Sequence, residues 1–282
     1  MTEAIVALAG LGIGMLGTLI GAGGGFLIVP LLVLLEPSWS TDQITAFSLA
    51  VVTANASMGA ASYWWQGRVD PFTFPLYTLA AVPGSIIGAY ASGYIPRPVF
   101  DPIFGVLLIL IGVWLFLKPG SSEAGGHTGP FERVLVDRSG RRYVWSFDPR
   151  IGFAGSVVVG FASSMFGIGG GIIHVPLLAT VLGFPAHVAT ATSHAVLAVT
   201  AGLATIVHIV HGDFRATWPL VLAASGGAIV GAPIGARISN FVPGAVILRV
   251  LAVALAFVGL RLLVGALLSA HPSPHLSVRL SP

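Results

Sequence analysis

The segment GGGFLIVPLL at positions 23–32 recurs as GGGIIHVPLL at positions 169–178, an offset of 146 residues. Shorter matches follow in the same order, at 46–50 with 191–195 and at 86–89 with 229–232. Several matches in register predict that the chain consists of two copies of one unit, a construction that is common among secondary transporters.

The sequence around these segments is strongly apolar. Hydrophobic residues make up 55% of the 282 positions, charged residues only 8%, and the mean hydropathy is +0.94, whereas a soluble domain carries about a quarter charged residues. This composition predicts a membrane protein and excludes a soluble enzyme, a nucleic-acid binder and a disordered chain. The absence of cysteine excludes disulfides and thiolate metal sites.

Apolar segments need about 20 residues to cross about 30 Å of hydrocarbon. Eight segments are long enough: 4–35, 44–65, 72–94, 99–117, 151–182, 186–208, 217–238 and 245–268. The first and the fifth are each 32 residues long, about 48 Å as one helix, and each contains a triglycine in its second half. Each is therefore predicted to be a full helix followed by a shorter, broken one.

We therefore predict an all-α polytopic membrane protein with two duplicated repeats of about four spans each. The predicted units are repeat 1 at 1–117, a linker at 118–150, repeat 2 at 151–268 and a tail at 269–282. Within the linker, RVLVDRSGRRYVW at 133–145 alternates around a turn and predicts a small β-hairpin.

The linker carries six of the thirteen basic residues, so the positive-inside rule predicts that it is cytoplasmic. If each broken element crosses the membrane once, the repeats are parallel, with ten basic residues inside against three outside. If each crosses twice, the repeats are inverted, with nine inside against four. The count leans towards the first arrangement but leaves both open.

The triglycines are the first candidate binding elements. Glycines in a membrane helix expose backbone groups that hydrocarbon cannot satisfy, so they must be buried in protein or line a wet cavity. Helices that restart after them present positive dipole ends and bare N–H groups, which favour a small anion. The predicted cage comprises Gly23, Gly24, Gly25, Gly169, Gly170 and Gly171. The alternative is close helix packing, which we predict for Gly10, Gly14 and Gly17.

Polar residues of the next helix in each repeat are predicted to complete the cage. They are Ser48, Asn55, Thr192, Ser193 and His194. Ser48 and Ser193 are selected because they occupy equivalent positions in the two repeats. Asn55 is selected because a side-chain amide within a membrane needs hydrogen-bond partners. The alternative for each hydroxyl is a bond to its own helix backbone.

Histidines are the other ionisable candidates. His174 and His194 replace apolar residues of the first repeat and are predicted to couple transport to protons, the alternative being a core histidine bonded to a carbonyl. His208 and His211 are predicted to be solvated at a membrane edge, and His187 to lie in a loop.

Carboxylates are scarce within the predicted spans. Asp101 lies near one end of its helix, and no other acidic residue falls within a span. Sites for cations or metals therefore lack ligands there. We predict no metal and no cofactor, and an anion rather than a cation as the cargo.

The pattern GxGGGxxxVPxL in both halves resembles the TauE/SafE sulfite exporter family, also called the 4-toluene sulfonate uptake permease family. The likeness extends over 4–268, without the hairpin, and includes GRVD at 67–70 and GDFR at 212–215. It implies an inner-membrane carrier of sulfite, sulfoacetate or another organosulfonate. The expected partners are this anion, the lipid bilayer and, in a homodimer, a second copy of the chain, with no nucleic acid.

The sequence thus predicts a secondary transporter of small sulfur-containing anions, an exporter or permease with proton-linked or gradient-driven alternating access. A passive anion channel would share the glycine-lined site and is the first alternative. A membrane-embedded enzyme is disfavoured, because the spans contain neither a GxSx nucleophile turn nor a clustered metal-ligand set. We therefore predict that the protein is not an enzyme.

Overall fold

A computed structural model describes residues 3–117, 129–214 and 217–270. Positions 118–128 of the predicted linker and 271–282 of the predicted tail lie outside the described residues. Within these residues the chain forms ten helices and one β-hairpin. The first half contains α1 (Glu3–Ile20), α2 (Gly25–Leu35), α3 (Thr41–Trp65), α4 (Thr73–Ser92) and α5 (Arg97–Leu117).

The second half repeats this order of helices after the hairpin, which consists of β1 (Phe131–Val136) and β2 (Arg142–Phe147). Its helices are α6 (Pro149–Met165), α7 (Gly171–Pro176) with a π-helical turn (Leu177–Val181), α8 (Ala186–His211), α9 (Trp218–Ile238) and α10 (Gly244–Ala270). Seven helices of the described part are long and apolar enough to cross a membrane. The predicted all-α membrane fold is confirmed, with the first element of each half broken at its triglycine.

Equivalent helices of the two halves pack with exchanged partners. The main contacts join α1 to α9, α4 to α6, α3 to α8 and α5 to α10. One continuous buried core contains residues from both halves. The boundaries of the two predicted membrane units stay a prediction, and in the described residues both buried clusters combine side chains of the two halves.

The two halves have opposite orientations. The equivalent helices α3 and α8 run antiparallel, because Thr53 lies beside Thr205 with 3.0 Å between the two hydroxyl oxygens, while Gly59 faces His194. Since corresponding helices point in opposite directions, the repeats are inverted. The count of basic residues favoured parallel repeats, and that expectation is therefore wrong.

The reason is that α2 folds back along α1 instead of continuing across the bundle. Gly24 packs against Ile13, and the other end of α2 reaches the start of α1, where Leu32 and Val6 line the same cleft. The eleven residues of α2 span about 16 Å, roughly half the hydrocarbon thickness. Each broken element is thus a re-entrant pair whose glycine tip lies in the middle of the bundle.

The predicted β-hairpin is confirmed, with Phe131 paired to Phe147 and Val136 to Arg142. The turn is organised by Asp137, whose carboxylate accepts N–H bonds from Ser139 at 2.9 Å and Arg141 at 3.0 Å. Burial opposes ionisation of Asp137, but these hydrogen bonds and the charge of Arg68 lower its pKa below the ordinary value.

Ion pairs and aromatic contacts fix the hairpin on one end of the helix bundle, which we call the hairpin face. Arg133 pairs with the fully buried Asp70 in the α3–α4 loop, with 2.6 Å between the charged atoms. Trp145 and Phe147 pack against Phe184, which lies in the loop between the π-helical turn after α7 and the start of α8. The hairpin thus bridges loops of both halves. The opposite end, where α1 begins, is called the distal face.

Close packing of α1 on α9 generates the first prediction. A Cβ atom at Gly231 would collide with the carbonyl of Leu11 in α1. We expect Gly231→Val to force the helices apart and to lower the free energy of unfolding by about 1–3 kcal/mol, measured as a lower Tm in detergent. Gly226→Val on the same helix is the control, because a Cβ atom added at Gly226 would have no neighbouring atom within 4 Å. Equal Tm values for the two variants would contradict the packing account.

Candidate functional site

The two glycine turns are built in the same way. In the first, the Gly17 carbonyl accepts the N–H groups of Ala22 at 2.8 Å and Gly23 at 3.1 Å. In the second, the Ser163 carbonyl accepts those of Ile168 and Gly169. Gly24 and Gly170 adopt positive φ values of 86° and 100°, which side chains disfavour. In each turn a carbonyl of the preceding helix therefore accepts two of the backbone N–H groups that we predicted for the anion cradle.

The two glycine tips contact each other directly in the middle of the bundle. Gly25 packs against the backbone of Ile168, and Gly171 packs against Ala22, so that neither site has room for a Cβ atom. Val52 of α3 and Leu197 of α8 lie against both Gly23 and Gly169. The triglycines are thus brought together as predicted, but in contact rather than across a cavity.

Polar side chains of the first half are used to hold the turns. Asn55 donates from Nδ2 to the Gly23 carbonyl at 3.0 Å and accepts a hydrogen bond from Thr18 at 2.9 Å. Ser48 donates to the Gly167 carbonyl of the other repeat at 2.6 Å. All three side chains are fully buried. In this conformation each of them is hydrogen-bonded within the protein.

The second half contains a cavity next to its glycine turn. The cavity is lined by Ser163, Gly169, Gly170, His174, Ser193 and Thr200, together with apolar side chains, and has room for about one water molecule. The hydroxyl oxygens of Ser163 and Ser193 are buried and have no hydrogen-bond partner among the described residues. Buried hydroxyl groups normally have a partner, so this cavity is the candidate site.

Two differences between the repeats accompany the cavity. Ser163 stands where the first repeat has Gly17, and Thr200 stands where it has Asn55. The Thr200 hydroxyl bonds to the Val196 carbonyl in its own helix, whereas the Asn55 amide reaches the first glycine turn. Sequence reasoning did not select Ser163. The sequence does contain a signal for it, because an alignment of the two repeats shows a serine at the position of Gly17.

The two proton-coupling candidates lie in different surroundings. His174 lines the cavity, and its Nε2 atom is 3.1 Å from the Ser156 hydroxyl. His194 lies outside the cavity lining, with its Nε2 atom 3.3 Å from the hydroxyl oxygen of Thr18. Both imidazoles are buried. Only His174 is therefore placed to meet a solute in this cavity.

Other polar residues lie away from the site. The hydroxyl of Thr192 accepts the N–H of Asp70 at 3.0 Å, so it connects α8 to the loop that holds the hairpin. The expectation that His208 is solvated is wrong, because it is buried and its Nδ1 atom lies 2.7 Å from the Asp213 carboxylate. His187 is buried in the first turn of α8 rather than lying in a loop.

Comparison with known proteins identifies related sequences over nearly the whole chain. The family described as Sulfite exporter TauE/SafE matches residues 6–262. The probable membrane transporter protein YunE of Bacillus subtilis is 31% identical over 93% of this chain and 98% of its own length. Probable membrane transporter proteins of Xylella fastidiosa and Methanocaldococcus jannaschii are each 25% identical, covering 79% and 70% of this chain and 79% and 68% of their own lengths. No solved structure matches the chain.

The contrast between the equivalent residues Ser48 and Ser193 generates the second prediction. Ser48→Ala leaves the buried Gly167 carbonyl without its partner, so we expect a loss of about 1–3 kcal/mol in the free energy of unfolding. Ser193→Ala removes a hydroxyl that has no partner among the described residues, so stability should be unchanged or higher. Thermal unfolding in detergent measures both variants. A larger loss for Ser193→Ala than for Ser48→Ala would contradict the described hydrogen bonding.

Proposed function

Because the chain belongs to the TauE/SafE sulfite exporter family, we propose that it is a secondary transporter of small sulfur-containing anions. Its relatives are named probable membrane transporters, and its helices form a multi-pass membrane protein. The proposed cargo is sulfite, sulfoacetate or another organosulfonate, bound in the cavity beside Gly169 and Gly170.

The observation that carries this proposal is the pair of unpartnered hydroxyls, Ser163 and Ser193. A hydroxyl can donate to an oxyanion, and a hydrogen bond to a charged acceptor is stronger than one between neutral groups. No acidic side chain of the described residues lines the cavity, so nothing there repels a negative charge. The glycine backbone allows the anion to approach closely.

The cavity must enlarge to hold such an anion. It has room for about one water molecule, and Leu197 both lines it and packs against the two glycine tips. We propose that the tips separate during alternating access, as one inverted repeat rocks against the other. The remaining predicted cage residues would support the site from further away. Ser48 and Asn55 bond to the two turns, Gly23, Gly24, Gly25 and Gly171 form part of them, and Thr192 and His194 lie outside the cavity lining.

His174 is the proposed link to protons. It lies in the wall of the same cavity, where a protonated imidazole would pair with an oxyanion and a neutral one would donate a single hydrogen bond. Exchange between the two forms would couple movement of the anion to a proton gradient. His194, bonded to Thr18 outside the lining, is the second candidate.

The distribution of arginines supports a cytoplasmic location for the hairpin face. Of the described arginines, only Arg97 and Arg261 lie towards the distal face, where both line one cleft. The others lie in the hairpin, in the loop after α3, at the start of α6, at the end of α9 and at the start of α10. The positive-inside rule therefore favours a plasma-membrane protein with this face in the cytoplasm.

A transport assay tests the site. We expect the double variant Ser163→Ala/Ser193→Ala to lose about tenfold or more in affinity for the transported anion, since it removes two hydrogen bonds to a charged acceptor. The measurement is uptake of labelled sulfite, sulfate, thiosulfate, sulfoacetate and taurine into liposomes that contain the purified protein. Ser57→Ala is the control, because this exposed hydroxyl bonds only to its own helix.

Two results would contradict the proposal. Transport by the double variant at the wild-type level would show that the two hydroxyls do not bind the cargo. Failure of the wild type to transport any of these sulfur compounds would exclude the proposed substrate class. Currents far above carrier turnover would favour the passive channel instead.

The glycine turn gives a further prediction. Gly170 has a φ of 100°, and a Cβ atom there would lie 3.4 Å from the Ser163 hydroxyl oxygen. We expect Gly170→Val to abolish transport while the protein still reaches the membrane. The control is Gly140→Val, which imposes a similar backbone strain in the hairpin turn, where nothing lies within 4 Å. Normal transport by a folded Gly170→Val protein would exclude this turn from the site.

A further inference from the structure

A second cleft, remote from the glycine turns, opens between α3 and α9 at the hairpin face. It has a volume of about 470 Å³. Met58 and Ala61 of α3 and Pro233 of α9 form its apolar part, while Arg138 of the hairpin turn and Arg237 in the last turn of α9 form its charged end. We call it the basic cleft.

The positive charge of the basic cleft is not neutralised within the described part of the chain. Neither arginine forms an ion pair there, and no acidic side chain lines the cleft. Arg138 lies over the ring of Trp65, with its guanidinium carbon 5.5 Å from the ring centroid. The neighbouring Asp137 is directed away, since its carboxylate is buried and bonded to Arg68 and Ser139. Two guanidinium groups thus share one cleft without a counterion from residues 3–117, 129–214 and 217–270.

The inverted repeat provides an internal comparison. The equivalent ends of α8 and α4 form a cleft of about 260 Å³ at the distal face, but this cleft is lined by the carboxylates of Asp42 and Asp213 and by two histidines, His208 and His211. The same scaffold therefore carries acidic groups on one face and arginines on the other. The charge of the basic cleft is a property of the residues placed there and not a consequence of the fold.

Exposed apolar side chains surround the basic cleft. Met58 and Trp65 lie on one side of α3 and are 36% and 69% exposed, and Phe241 just beyond α9 is 87% exposed. Exposed apolar side chains on a membrane helix contact lipid, and tryptophan is enriched where the bilayer meets water. An apolar wall that leads to two guanidinium groups at the interface matches an amphiphile with an anionic head.

We propose that the basic cleft binds an anionic phospholipid from the leaflet at the hairpin face. The phosphate would lie between Arg138 and Arg237, because guanidinium groups bind phosphate oxygens in pairs of hydrogen bonds. An acyl chain would follow Met58 and Ala61. Since the arginines belong to the hairpin and to α9, the bound lipid connects the hairpin to the second repeat. Basic pockets between membrane helices are a known mode of headgroup recognition.

Lipid titration of the purified full-length protein in detergent tests this site, with bound lipids counted by native mass spectrometry. The probes are phosphatidylglycerol and the zwitterionic phosphatidylcholine. We expect Arg138→Gln and Arg237→Gln each to weaken phosphatidylglycerol binding about fivefold, and the double variant more, with phosphatidylcholine binding unchanged. Arg142→Gln on β2 is the control, because this exposed arginine does not line the cleft.

A second pair of measurements separates headgroup recognition from unfolding and from free anions. Arg138→Lys/Arg237→Lys keeps the charge but loses the paired guanidinium hydrogen bonds, so its affinity should lie between that of the wild type and that of the double glutamine variant. Thermal unfolding without added lipid checks that each variant is folded. Inorganic phosphate should stabilise the wild type much less than phosphatidylglycerol at equal concentration. Equal effects of phosphate and lipid, equal binding of the two lipids, or an equal loss in Arg142→Gln would each overturn the proposal.

Discussion

Backbone polar groups have no partner in hydrocarbon, and the architecture depends on how the chain satisfies them at two breaks in the middle of the bundle. Each break is a glycine turn whose N–H groups close on the carbonyl of Gly17 or Ser163. Because these turns must be enclosed by protein, the two tips pack on each other and α3 and α8 cover them. Side chains from distant parts of the chain supply the remaining hydrogen bonds, as Ser48 does for Gly167.

The candidate site arises where the duplicated halves differ. In the first half, the amide of Asn55 reaches the glycine turn, and no side chain at Gly17 adds a polar group. In the second half, Thr200 is too short to do the same, and Ser163 adds a hydroxyl. The common scaffold thus provides one turn that is held by the Asn55 amide and one turn beside a cavity into which, among the described residues, two unpartnered hydroxyl groups project. The cavity with Ser163 and Ser193 is therefore the place where a solute with oxygen acceptors would find hydroxyl donors.

The two faces of the bundle also differ from each other, in this case in their ion pairs. At the hairpin face, Arg68 and Asp137 form a buried ion pair, and Arg133 pairs with Asp70, so the hairpin is held by charges from the first repeat. At the distal face, the carboxylate of Asp213 pairs with His208, a side chain of its own repeat. Symmetry of the helices therefore coexists with an asymmetric distribution of charge between the two faces.

The sequence by itself determined the features that depend on neighbouring residues. Apolar length predicted the helices, glycine spacing predicted the breaks at Gly24 and Gly170, and alternation predicted the hairpin, because each is a local property of the chain. The tertiary structure decided the inversion of the repeats, the burial of His208 and the separate roles of Ser48 and Ser193. A serine is structural or free according to whether an acceptor over a hundred positions away lies within reach, as it does for Ser48 and Gly167. A local sequence pattern does not contain information about contacts that are so distant in the chain. The equivalent residues Ser48 and Ser193 therefore look the same in sequence but differ in their hydrogen bonding.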